Sequence, residues 1–263
     1  MNYTFLNLAA QSPTLELALS VSDKIQNDSK SKHVFYICDS AQSSCSVNIK
    51  HKKSICRLCK IKAEIGVNIY KKKNKNILVK YITKQDLEKY NSPEPSKELV
   101  DDIMLGVNST IASQFRISKM DMLEKKWRVY KNRMLESSLG LYNYFKNQVS
   151  IDKPKSIIVF NGRLSCARPI KILAEIENID YYLFDASFNG NFPILAKNQM
   201  FHSIEFAKKN SIKTYLNYFY DSKTIANDFI KAKLINKPTN DKVFTSHQKK
   251  HYLNPTIKEN NKK

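Results

Sequence analysis

The sequence predicts an α/β fold in which a parallel sheet is layered between helices. Three observations carry this reading. Apolar runs of strand length recur at residues 3–9, 33–38, 76–82, 156–162 and 180–186. Helical stretches separate most of them, and strands alternating with helices imply right-handed crossovers, hence a Rossmann-like sheet with flanking helices. Between the third and fourth runs no strand is legible, so a long helical insertion is expected at about 96–150.

The first run, Tyr3 to Ala9, is short and apolar, as a buried strand should be. In the following QSPTLELALSVSDKI, Ser12 suits a helix cap and Pro13 a first turn, with Leu15, Leu17, Leu19 and Val21 among helix formers. HVFYIC, residues 33–38, reads as a second strand ending at Cys38. A helix is expected from Cys56 to about Asn68, and NILVKYI, residues 76–82, is the third strand. Within the insertion, Met120, Leu123, Trp127, Tyr130 and Met134 recur at helical intervals and mark a packing surface. Asp152 and Pro154 end that helix. SIIVFNG then runs into a polar turn, SCARPIKILAEIENI supplies a helix, and DYYLFDA is the next strand. Two further helices are expected near 197–210 and 221–234. The α/β domain is thus read as 1–236, and the polar, basic, aperiodic residues 237–263 as a tail or linker.

The 263 residues carry a formal net charge of +20. Only six basic residues are Arg, namely Arg57, Arg116, Arg128, Arg133, Arg163 and Arg168, and the remainder are Lys. Bidentate contact with phosphates and bases is Arg chemistry, so the Lys excess reads first as a solvated surface and a nucleic-acid interface ranks below it. Nucleic acid is therefore not the expected partner, while attraction to phosphorylated sugars or an anionic membrane surface stays open. No run of 18 apolar residues exists, and no basic residue precedes the apolar part of the N-terminus. The expected location is the cytoplasm, including the inner face of the membrane, where thiols stay reduced. With five glycines in the chain, neither a GxGxxG loop nor a P-loop occurs. There is no G-x-S-x-G and no H-E-x-x-H.

Ligands of open parallel sheets bind beyond the carboxyl ends of the strands. Three polar turns fall there: Cys38-Asp39-Ser40, Asn161-Gly162-Arg163 and Asp185-Ala186-Ser187. Gly162 permits a tight strand-to-helix turn, and Arg163 and Arg168 lie near the start of the next helix, where backbone N–H groups favour anions. Asn161, Gly162, Arg163 and Arg168 are the expected substrate-binding set. Asp39 and Asp185 are the acidic residues at strand ends, each able to act as a general base toward a sugar hydroxyl or to cap a helix. Cys166 reads as a small buried residue.

The other cysteines, Cys38, Cys45, Cys56 and Cys59, follow a C-x6-C-x10-C-x2-C spacing. The final pair has the spacing with which two sulfurs reach one tetrahedral ion. A structural zinc held by these four is one reading, with His33 or His51 as substitutes. Unligated thiols, Cys38 belonging to an apolar strand, are the other.

Several stretches together resemble one family: SPTLELALSVSDKI, CDSAQSSCSVN with CRLC, FNGRLSCARPIKILAEIENIDYYLFD, and KPTNDKVFTSHQKK. They are similar to the N-terminal half of bacterial capsule and lipopolysaccharide biosynthesis proteins, which look like glycosyltransferases of two Rossmann-like domains. The resemblance implies an acceptor-side domain that binds a sugar or sugar phosphate. A second glycosyltransferase domain or subunit would bring the nucleotide-sugar donor, and the tail after Lys237 would lead to it. The chain has Thr14 where the family often has a His before its Leu-Glu pair, and Phe184-Asp185 where members tend to carry His-Glu. The readings that compete with this one are a basic module for nucleic acid or anionic surfaces, and a zinc-stabilised structural domain.

Overall fold

The computed structural model describes residues 1–29, 31–89, 95–116, 125–186, 193–200, 203–217 and 219–234. Six strands form one sheet: β1 Asn2–Leu6, β2 His33–Cys38, β3 Ile77–Ile82, β4 Ser156–Phe160, β5 Asp180–Ala186 and β6 Pro193–Lys197. The helices are α1 Thr14–Ser29, α2 Lys53–Lys73, α3 Lys84–Lys89, α4 Lys97–Phe115, α5 Lys125–Asp152, α6 Arg168–Ile176, α7 Ile204–Asn217 and α8 Phe219–Leu234. The strand order is β3-β2-β1-β4-β5-β6, with every neighbouring pair parallel except the antiparallel β5 and β6. This is the Rossmann-like α/β architecture that the alternation predicts. The helical insertion is α4 and α5; Met120 and Leu123 lie outside the described residues, while Trp127 and Met134 pack with Val107 and Ile111 of α4.

Strand side chains alternate between two helical layers, so both faces of the sheet are apolar. Leu6, Phe35, Ile37 and Ile158 join Leu15, Ala18, Ala63 and Val67 in the α1 and α2 layer. Tyr3, Phe5, Tyr36, Ile157 and Val159 join Leu141, Phe145, Ile170 and Leu173 in the α5 and α6 layer. Two of the most buried strand residues are polar. Thr4 Oγ1 lies 2.8 Å from Ser22 Oγ and 2.8 Å from His33 Nε2, so the hydroxyls pair with one another and with that ring nitrogen, while the buried His33 Nδ1 has no hydrogen-bond partner among the described residues. At the amino ends of the strands, Asp152 accepts from Tyr3 Oη at 2.6 Å and from Lys80 Nζ at 2.9 Å, tying the end of α5 to β1 and β3.

The chain divides into two compact units. The first is Met1–Ala186 with Phe192–Phe201, and holds the whole sheet. The second, Ser187–Asn191 with His202–Lys263, contains α7 and α8. The tail expected at 237–263 lies outside the described residues. No helix among the described residues is long and apolar enough to cross a membrane.

Candidate functional site

The chain runs outward from β1 to β2 and β3, then returns through α4 and α5 to β4 on the other side of β1. The order reverses between β1 and β4, and the crevice at such a reversal is where doubly wound sheets bind ligands. Register and alternation fix what lies there. Cys38 pairs with Ile82, Leu6 with Ile37 and Phe160 with Phe184. One step further along, Asn7 and Asn161 continue β1 and β4 between Cys38 and Asp185. A row Cys38–Asn7–Asn161–Asp185 thus crosses the carboxyl edge on the α5 and α6 side.

The Asn161-Gly162-Arg163 turn closes against this row. Asn161 and Gly162 both have positive φ, 62° and 75°. Asn is among the residues that tolerate this conformation, and Gly adopts it without a Cβ penalty. Gly162 N–H donates to the Phe160 carbonyl at 2.7 Å, and Asn161 Nδ2 donates to Asp185 Oδ2 at 2.6 Å. The other Asp185 oxygen accepts from Ala186 N–H at 2.7 Å. Asp185 therefore holds the turn in place, and Asn161, 4 % exposed, is its counterpart.

The two arginines turn toward α4. Arg168 forms an ion pair with Asp102 through Nε and Nη2, so its charge is neutralised within the fold. Arg163 Nη1 donates to Ser109 Oγ at 2.9 Å, and its buried Nε has no hydrogen-bond partner. Arg163 makes no ion pair among the described residues, which leaves it as the cation of this turn. Asp39 closes β2 and pairs with Lys60 Nζ at 2.7 Å on α2, with both side chains about one-third exposed. Asp39 and Asp185 stand at the ends of β2 and β5, with β1 and β4 between them.

The loop after β2 folds over the carboxyl edge. Gln42, Ser44, Ser46 and Asn48 are all buried there. Ser46 Oγ is 2.9 Å from Cys166 Sγ, Ser44 Oγ donates to the Ile49 carbonyl, and Asn48 Nδ2 donates to the Lys52 carbonyl and to Cys56 Sγ. Burial pushes the Cys166 thiol up, against which Ser46 and Asn7 act. Asn7, 3 % exposed, has no geometrically formed hydrogen bond at Oδ1 or Nδ2.

The four cysteines of the expected zinc site are neighbours but lie in different layers. Cys59 packs with the α1 and α2 cluster and its thiol faces the Asn7 carbonyl at 3.7 Å. Cys38 packs against the α5 and α6 cluster. Burial raises the thiols of Cys38, Cys45 and Cys59, and their mutual proximity adds to it. Among the described residues, no group of three or more His, Cys, Asp or Glu side chains is placed to hold a metal ion. His33 opens β2 at the amino end of the sheet, five residues from Cys38 along the strand, and is held by Thr4.

Beside the covered edge, a groove of about 440 Å³ opens beyond the carboxyl ends of β2 and β3. Its walls come from three directions: Ala41 and Ser43 after β2, Lys84, Leu87 and Glu88 of α3, and Glu136, Ser137, Leu139 and Asn143 of α5. Ser43 Oγ lies 3.0 Å from Ser137 Oγ and donates to the Arg133 carbonyl, which fixes the loop to α5. Lys84 pairs with Glu88 at 3.3 Å, whereas Glu136 makes no ion pair among the described residues. Glu88, Glu136 and Asn143 are functional candidates that the sequence reading did not reach.

The fold and this edge define a doubly wound α/β protein with a polar-rimmed groove at the ligand end of its sheet. No family model matches the chain, and neither a curated protein nor a solved structure matches it.

Proposed function

We propose that this chain is a glycosyltransferase-like protein of bacterial surface-polysaccharide assembly, acting as the acceptor-side domain. The observation that carries the reading is the groove at the carboxyl ends of β2 and β3. Its size falls within the usual range for small-molecule sites, roughly 300–1,000 Å³. Hydroxyl, carboxamide and carboxylate groups stand beside the apolar Ala41, Leu87 and Leu139. A sugar presents that same combination of polar rim and apolar ring face. Glu136 is the groove carboxylate with which an acceptor hydroxyl would share its proton, the role the sequence reading assigned to strand-end aspartates. The nucleotide-sugar donor would come from a second domain or subunit. The sequence resemblance to capsule and lipopolysaccharide biosynthesis proteins supports the same direction.

The test is saturation-transfer-difference NMR on the purified chain with hexoses, N-acetylhexosamines and their 1-phosphates as probes. At least one probe is expected to receive transfer. The Glu136→Ala, Asn143→Ala double variant, altered only on the solvent side of α5, is expected to lose it. Transfer that survives in this variant, or none from any probe, would remove the groove as an acceptor site.

A further inference from the structure

Helix α2 carries apolar residues on two sides. Its inner side, Cys59, Ala63, Val67 and Tyr70, is buried in the fold. Its outer side bears Leu58, Ile61, Ile65 and Ile69, which are 47 %, 42 %, 55 % and 57 % exposed. Intervals of three and four residues align these four in a single stripe, about 16 Å long. An ordinary surface helix turns such a stripe inward. Here the inward position is already taken, so four large aliphatic side chains face outward together.

The charges around the stripe are predominantly positive. Helix α2 contains seven basic residues, Lys53, Arg57, Lys60, Lys62, Lys71, Lys72 and Lys73, against the single acidic Glu64. Lys60 is committed to Asp39. Arg57 flanks the stripe on one side and Lys62 and Lys73 on the other, with Lys72 at its end. Glu64 lies on the same flank as Arg57, seven residues on, and faces Tyr81. An outward aliphatic stripe bordered by cations is the pattern of helices that lie in a membrane interface. The aliphatic groups enter the acyl boundary and the cations meet anionic headgroups.

We infer that the outer side of α2 docks the protein onto an anionic lipid bilayer, with Leu58, Ile61, Ile65 and Ile69 inserted and Arg57, Lys62, Lys72 and Lys73 on the headgroups. Helix α2 packs in the layer opposite α5, whereas the groove is walled by α5, so this surface does not depend on the acceptor reading.

The experiment is co-sedimentation of the full chain with large vesicles of phosphatidylcholine alone or with three-tenths phosphatidylglycerol. Binding is expected to the anionic vesicles and to fall as salt is raised. The Ile65→Glu, Ile69→Glu variant should keep the parent's circular dichroism and urea midpoint while its partitioning falls at least tenfold. A Lys24→Gln, Lys223→Gln control, which lowers the net charge by the same two units elsewhere, should fall far less. Equal loss in both variants would reduce the effect to general charge and overturn the inference. A lowered urea midpoint in the Ile65→Glu, Ile69→Glu variant would show that the chain covers the stripe itself. Loss of a dimer by light scattering, without vesicle binding by the parent, would make the stripe a self-association face. Either result also overturns the inference.

Discussion

Asn161 and Asp185 join the carboxyl ends of β4 and β5 through a 2.6 Å hydrogen bond between Nδ2 and Oδ2. The bond crosses neighbouring strands at the edge where the sheet is expected to meet its ligand. Asp185, which reads in the sequence as a general base or a helix cap, thereby also supports the neighbouring turn. Asp185→Ala should therefore destabilise the fold by about 1–3 kcal/mol, because a charge-assisted hydrogen bond to the buried Asn161 amide is lost. Asp185→Asn, which retains an oxygen acceptor, should cost less. Urea unfolding of both variants checks the order.

Gly162 should tolerate no side chain. A Cβ there would meet Leu183 Cδ1 at 2.6 Å and Cδ2 at 2.9 Å, and the backbone sits at a φ of 75°. Leu183 is fully buried in the α5 and α6 layer, so it has little room to withdraw. Gly162→Ala is expected to cost more than about 1 kcal/mol, from strain at positive φ and the clash together. The measurement is the shift in urea midpoint, and a neutral result would mean that the turn adopts another conformation.

The ion pair of Arg168 with Asp102 fastens α6 to the insertion helix α4. A double-mutant cycle with Arg168→Met and Asp102→Ala should give a coupling of about 1 kcal/mol, since Asp102 is more than one-third exposed and partly screened. Arg163 should behave differently. Its charge has no ion-pair partner among the described residues, so Arg163→Met is expected to change stability less than Arg168→Met. Parallel unfolding curves of the two single variants decide this.

His33 supplies a pH dependence. Burial lowers its pKa from 6.5 to about 4, with the nearby N-terminus acting in the same direction. The folded state thus holds the imidazole neutral, and the unfolded chain binds the proton first as pH falls. Stability is fully present above pH 6.5 and declines as pH drops toward 4, by up to about 3 kcal/mol. Between pH 7 and 5 ordinary carboxylates remain largely ionised, so the slope in that window belongs mainly to His33. A His33→Gln variant should flatten the dependence of the urea midpoint on pH across the window.

Strands β1, β2, β4 and β5 are legible because burial on both faces makes each a continuous apolar run, and the more exposed β3 because ILVKYI is rich in β-branched and aromatic residues. HVFYIC and DYYLFDA coincide with β2 and β5. Helix ends were less legible: α2 extends to Lys53 and Lys73, where lysines carry no apolar period to read. Strand β6 begins with a proline and pairs antiparallel at the sheet edge, and α3 is only six residues long, so neither leaves a periodic signal. At the site, Asn161-Gly162-Arg163 could be found because a Gly follows an apolar run directly. Glu136 and Asn143 could not. They are roughly a hundred residues from Ser43 in sequence, and only the packing of α5 over the loop after β2 brings them to the groove. Nothing local in the sequence paired Arg168 with Asp102, a partner 66 residues away.

The central claim is that the groove between Ser43, Glu88, Glu136 and Asn143 takes a sugar. Amide chemical-shift mapping of ¹⁵N-labelled protein, titrated with the probe that gives the strongest saturation transfer, tests it most directly. The account predicts saturable shifts concentrated at residues 41–44, 84–88 and 136–143, with the second unit unaffected. Shifts confined to the outer side of α2, or spread evenly over lysine-rich surfaces, would contradict it.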